Sequence, residues 1–218
     1  MLTNNKVKFA AIPEAFRDLR LDSFRTSYYK DQESIRQIVE VIKEYLRDIE
    51  QMRKDGVGLY IWSKTKGSGK TRLVTSLANE LIYEHDMKVK FITSLDIIAE
   101  IRATWDKTAE FTSESKLMEY LTTVEVLVID DFGTETHKDW LDDKFYKIIN
   151  TRYVNQLITI FTSNESLNNM DYDERITSRI VERCYQLHFP EQSIREGLAI
   201  AKQRQLEEKI KNGGSEGE

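Results

Sequence analysis

The stretch "YIWSKTKGSGKTRL", Tyr60 to Leu73, sets a short run of strand-forming residues directly before a loop of lysines, glycines and hydroxyls, with a helical pattern behind it. A strand, a glycine-rich turn and a helix start in that order make a P-loop. Glycines let backbone N–H groups turn inward around phosphates, and the helix dipole adds to them. Here Gly67 and Gly69 free the backbone, Lys70 brings a point charge to the phosphates and Thr71 a hydroxyl for magnesium, while Lys66, Ser68 and Arg72 complete the candidate binding set. The full pattern, G-x-x-x-x-G-K-T, wants a glycine at position 64, where Lys64 stands. That glycine normally opens the turn in a conformation costly for other residues, so the sequence predicts either a remodelled loop or strain at Lys64. Without its flanks, the same stretch is a lysine-rich surface turn.

Working outward, "GLYIW" is one of five short apolar runs, with "KVKFIT" from Lys88, "VEVLVID" from Val124, "LITIFT" from Leu157 and "YQLHF" from Tyr185. Helical patterns separate them over 70–84, 94–105, 113–121, 139–155 and 173–184, and a last one covers 193–210. Strands alternating with helices predict an α/β fold with a parallel sheet covered on both faces. Ahead of these lies an amphipathic helix with Ile35, Ile38, Val39, Ile42, Tyr45, Leu46, Ile49 and Met52 at steps of three and four, ending before Gly56. Residues 1–30 lack periodicity and read as an irregular arm against the body.

Acids exceed bases among the 218 residues and the formal net charge is −5, so no global basic field points to nucleic acid. One cysteine, Cys184, rules out an internal disulfide framework or a cysteine-rich zinc site. No run of about 18 apolar residues offers a membrane span, and a cytoplasmic protein without membrane partners is expected. The three histidines, His85, His137 and His188, have no metal-ligand spacing and read as surface or packing residues.

Two further strands end in polar groups. "VEVLVIDDFGTE" closes on Asp130 and Asp131 at the edge where ligands bind in open α/β sheets. Asp130 suits magnesium and Asp131 suits polarising an attacking water; alone, the pair is also a solvated acidic turn. "LITIFTSN" ends in Thr162, Ser163 and Asn164, where an amide can hold a water against a γ-phosphate or simply cap a helix.

With these motifs in hand, the chain resembles the AAA+ ATPases, and among them the DnaC/DnaI-type helicase loaders and the related IstB-type transposition helper ATPases. The resemblance runs from about Phe16 to about Ala201 through "IPEAF", "LDSF", "GLYIWSKTKGSGKT", "LVIDDFGTE", "TIFTSN", "DERITSRIVERC" and "SIREGLA". It implies the strand order 5-1-4-3-2 with a reduced C-terminal lid. It makes residues 67–71 Walker A, Asp130 and Asp131 Walker B, Asn164 sensor 1 and Arg195 sensor 2. Arg179 in "ITSRIV" matches the arginine that one subunit presents to a neighbour's ATP; read alone, it is an exposed helix arginine paired with Glu174 or Glu182. The implied organisation is an arm and helix over 1–54 packed on an ATPase core over 55–190, then a sensor 2 helix over 191–211 and a disordered tail over 212–218.

The same resemblance implies ATP and Mg2+ as ligands, ATP-dependent self-association, a DnaB-type replicative helicase as partner and weak binding of single-stranded DNA. In loaders, the segment matching "SLDIIAEIRATWDKTAEFTSESKLMEYL" lines a pore. Its bases Arg102, Lys107 and Lys116 stand among six acids, and Trp105 and Phe111 either stack on bases or pack internally. Two rivals remain open at this level: an IstB-type helper with a transposase as client, and a nonhydrolytic interaction module. DnaC and DnaI proteins usually carry a helicase-binding domain ahead of the ATPase, and here the signature begins almost at once.

Overall fold

The computed structural model describes residues 2–106, 113–134 and 139–213. The chain runs through α1 (Leu2–Ala10), α2 (Gln32–Arg47), α3 (Ile49–Asp55), β1 (Gly58–Trp62) and α4 (Lys70–Tyr83). It continues through β2 (Val89–Thr93), α5 (Ser94–Asp106), α6 (Glu114–Thr123), β3 (Val126–Phe132) and α7 (Asp139–Val154). Then come β4 (Ile158–Ser163), α8 (Glu174–Arg183), β5 (Cys184–His188) and α9 (Ile194–Gly213). The strands form one parallel sheet in the order β2-β3-β4-β1-β5, the order the resemblance implied.

Strand residues alternate between two cores, which is why the strands read as continuous apolar runs rather than half-polar ones. Leu59, Ile61, Val126, Val128, Ile158 and Ile160 face one core, filled by Ile35, Ile42, Leu73, Leu77 and Leu81 of α2 and α4. Tyr60, Leu127, Ile129 and Phe161 face the other, filled by Ile97, Leu117, Phe145, Ile148 and Ile176 of α5 to α8. The glycine loop therefore sits between a buried strand and the buried helix α4.

Three local differences from the sequence reading stand out. The arm is not irregular throughout: it opens with α1 and continues in three 3-10 turns at Glu14–Phe16, Leu21–Ser23 and Thr26–Tyr28. The helix before Gly56 is two helices. Asp31 caps α2 by accepting from the Ser34 N–H at 3.0 Å, and at Asp48, with φ −97° and ψ 18°, the backbone leaves the helical region and restarts as α3. Cys184 opens β5 rather than ending a helix, and its thiol donates to the Thr159 carbonyl at 3.6 Å.

One buried polar residue holds the ends of three elements. Arg152 of α7 is 1% exposed. Its guanidinium donates to the carbonyls of Leu121, Val124 and Ile158 at 2.9, 2.8 and 2.6 Å, and to Thr159 Oγ1 at 2.9 Å. Burial pulls its pKa down to about 9, so it remains charged at neutral pH. Arg152→Ala leaves these carbonyls unsatisfied around a cavity and is expected to cost about 3 to 5 kcal/mol. The midpoint of urea unfolding, with an unchanged slope, measures it.

Candidate nucleotide site

The loop between β1 and α4 bends through two glycines in the left-handed region, Gly67 at φ 73° and Gly69 at φ 106°. A Cβ on Gly69 would lie 2.4 Å from the Tyr29 hydroxyl, which donates to the Ser68 carbonyl at 2.6 Å. The arm thus closes the back of the loop through an aromatic side chain, and Arg72 reaches back to the arm by donating to the Ser23 carbonyl at 3.2 Å. Lys66 is exposed on the loop and Ser68 is buried, its hydroxyl 3.0 Å from that of Ser63. Lys64 is not among the residues with positive φ, so the loop is remodelled rather than strained at that point.

Lys70 is 5% exposed and its ammonium lies within 3.1 to 3.3 Å of five oxygens: Ser63 O and Oγ, Thr65 O, Ser68 Oγ and Asn164 Oδ1. Burial lowers its pKa, opposed by the carboxylates of Asp131, Glu191 and Asp130. A buried cation held by neutral oxygens at the start of a helix, behind a glycine turn, is arranged to receive an anion.

The two acids gain a common target from a bulge. Ile129 pairs with Phe161 and Phe132 with Ser163, so Asp130 and Asp131 together face the single residue Thr162. Consecutive strand residues normally point to opposite faces. Here Asp131 takes φ 54°, and both carboxylates act on Lys70. The unusual backbone at Asp131 is pinned from three sides. Its N–H donates to Thr162 Oγ1 at 3.0 Å, and its carbonyl accepts from Ser94 Oγ and Thr134 Oγ1, both at 2.9 Å.

Asp130 is 5% exposed and accepts from Thr71 Oγ1 at 3.0 and 3.2 Å and from Thr162 Oγ1. Burial raises its pKa, with Thr162 and Thr71 pulling the other way. A desolvated carboxylate beside a threonine hydroxyl and a second acid is an all-oxygen set with charge to be neutralised, which fits a magnesium ion completed by phosphate and water oxygens. Arg195 joins the site from the start of α9: its N–H donates to the Gly67 carbonyl at 3.1 Å, and a Cβ on Gly67 would meet the Arg195 Cβ at 3.0 Å. Loop, acids, Asn164 and Arg195 converge at one edge of the sheet.

The profile of the family described as IstB-like ATP binding protein matches residues 6–199. The chain belongs to that family. Among curated relatives, it is 29% identical over 182 residues to the phage-like element PBSX protein XkdC of Bacillus subtilis (strain 168), covering 79% of this chain and 64% of XkdC. It is 23% identical over 170 residues to the replicative helicase loader DnaC of Buchnera aphidicola subsp. Schizaphis graminum, covering 77% of this chain and 65% of that one. The chain spans less than two thirds of the length of these relatives. Its fold is that of the crystal structure of the DnaC helicase loader, with a TM-score of 0.68 at 22% identity over 82% of this chain and 100% of that one.

In this IstB-like chain, Arg179 stands apart from the loop. Its Nε donates to Asn150 Oδ1 at 2.8 Å and its Nη2 to the Tyr146 hydroxyl at 3.3 Å, and it lies over the rings of Tyr146 and Tyr153 at 5.0 and 5.7 Å. The pairing with Glu174 or Glu182 open to it from sequence alone is replaced by this α7 cradle, and Glu182 instead accepts from the Tyr153 hydroxyl. In the segment matched to a loader's pore, Arg102 lies over the Trp140 ring at 5.7 Å. Lys107, Phe111, His137 and the Trp105 side chain lie outside the described residues. His188 does more than cover surface: its ring stacks on Trp62 at 4.2 Å and its Nε2 lies 2.9 Å from Glu191. Sequence reasoning missed Ser63, Tyr29 and Glu191, since nothing local marks a residue whose partner is set by the fold. Among the described residues, no helix is long and apolar enough to cross a membrane.

Proposed function

We propose that this chain is a magnesium-dependent ATPase that uses ATP to control its assembly with copies of itself on a DnaB-type replicative helicase, helping to place that helicase on single-stranded DNA. The observation that carries the reading is the division of the polar groups: Lys70, Thr71, Asp130, Asp131, Asn164 and Arg195 meet at one sheet edge, whereas Arg179 is held on α7 and α8.

In this reading the N–H groups of residues 66–71 cradle the triphosphate and Lys70 turns from its ring of oxygens to the phosphates. Release from Lys70 frees the Asn164 amide to hold the attacking water, and Asp131 polarises it from the adjoining strand end. Thr71 and Asp130 would hold magnesium, which when bound would supply charge neutralisation on the phosphates. Arg195 binds phosphate within the same chain, and Arg179 completes the site of a neighbouring copy, so hydrolysis requires assembly. DNA contact is weak per copy and grows with the assembly.

Asp131→Asn keeps shape but removes the carboxylate. ATP binding should be retained and turnover, with DNA and partner present, should fall about 10²- to 10⁴-fold. Turnover equal to that of the unaltered chain would mean that Asp131 is not the base, and no turnover in either would leave a nonhydrolytic module. The IstB-like family match is equally compatible with a second client, a transposase. Whether a helicase or a transposase is retained by the chain in ATP separates the two.

A further inference from the structure

Lys64 occupies the position where the P-loop pattern keeps a glycine, and the structure shows what replaces it. The N–H groups of Lys64 and Thr65 both donate to the Glu191 carboxylate, at 2.9 and 2.8 Å, and Thr65 Oγ1 adds a third bond at 2.7 Å. The oxygen that accepts from Lys64, Oε1, also meets His188 Nε2 at 2.9 Å, and the His188 ring stacks on Trp62, the last residue of β1 before the loop. Farther along the same connection, the N–H groups of Ile194 and Arg195 both donate to the Gly67 carbonyl, at 3.0 and 3.1 Å. The segment from Glu191 to Arg195 is therefore hydrogen-bonded along residues 64 to 67.

We infer that Glu191 is a positioning residue: it holds the entering limb of the loop where a glycine turn would otherwise shape it, so that the N–H groups of residues 66–71 stay aimed at the phosphates. This rests on the nucleotide-site reading above. Two consecutive N–H groups on one carboxylate fix the direction of the backbone, and bonds to an ionised acceptor are the stronger kind. Desolvation pushes the Glu191 carboxyl upward, yet the bonds from His188, Thr65 and the two N–H groups outweigh it and bring its pKa to about 2, so it is ionised throughout the neutral range. The lysine side chain takes no part in these bonds, which explains why a bulky residue is tolerated at position 64.

The test measures binding of a fluorescent ATP analogue with magnesium to the full chain. Glu191→Ala should raise Kd about five- to tenfold, the scale of a charge-assisted hydrogen bond lost from a partly exposed site, with the far-ultraviolet circular dichroism spectrum at the assay temperature unchanged. Glu191→Gln keeps an oxygen acceptor and should fall between. The amide NMR signals of Lys64 and Thr65 should move in Glu191→Ala while those of α7 and α8 stay. Thr65→Val should add little to Glu191→Ala in the double variant, because both act through one contact. An unchanged Kd in Glu191→Ala would overturn the inference and leave the nucleotide site standing. Tighter binding would also overturn it, by showing the carboxylate to be a competitor of phosphate, and failure of the unaltered chain to bind the analogue would overturn both.

Discussion

Lys70→Ala is expected to abolish ATP binding while leaving the fold intact. The carboxylates of Asp131, Glu191 and Asp130 act electrostatically on the ammonium and hold it charged against burial. Without it, the phosphates would meet carboxylates with no counter-charge between. A pair of unit charges about 4 Å apart at an effective dielectric of about 20 interacts by roughly 4 kcal/mol, or about a thousandfold in Kd. The five oxygens around Nζ belong to Ser63, Thr65, Ser68 and Asn164, and all are neutral, so its removal leaves no uncompensated charge within that ring. Far-ultraviolet circular dichroism checks the fold and calorimetric titration checks the loss. Retained micromolar binding in this variant would show that the loop does not hold the phosphates through Lys70.

Arg179→Ala should leave ATP binding unchanged and lower turnover in the assembled state about a thousandfold or more. Its guanidinium is fixed by Asn150 and the Arg175 carbonyl and lies over Tyr146 and Tyr153, an arrangement that orients it without a partner from its own P-loop. A preoriented guanidinium is worth more in a transition state than a mobile one, because its charge is already placed where charge grows. Mixing provides the decisive measurement. Arg179→Ala has an intact loop and Lys70→Ala an intact Arg179, so the two inactive variants should restore turnover to each other if the arginine acts across the junction. Normal hydrolysis by Arg179→Ala alone, with DNA and partner present, would show that the arginine has no such role.

The fold was legible where burial writes itself into sequence. β1, β3 and β4 are apolar on both faces because both faces are covered, and such runs in the sequence predict a parallel sheet. The glycine loop was legible for the same reason: Gly67 and Gly69 do take the left-handed conformations that the pattern requires. The bulge at Asp130 and Asp131 was not legible, since a one-residue offset against Thr162 is a property of the pairing and not of either strand alone. Glu191 was invisible for a related reason: its bonds to Lys64 and Thr65 join positions 127 and 126 residues apart. The break at Asp48 was hidden because the apolar spacing continues across it, from Tyr45 to Ile49 and Met52. In each case the missing information lay between segments.

The proposed function requires the turn from Ser63 to Thr71 to wrap a triphosphate. Calorimetric titration of the unaltered chain with ATP and magnesium, beside Lys70→Ala, tests this most directly. One site per chain, weakened when magnesium is chelated and absent in Lys70→Ala, is the expected result. No saturable binding to the unaltered chain, or equal binding by both, would contradict it.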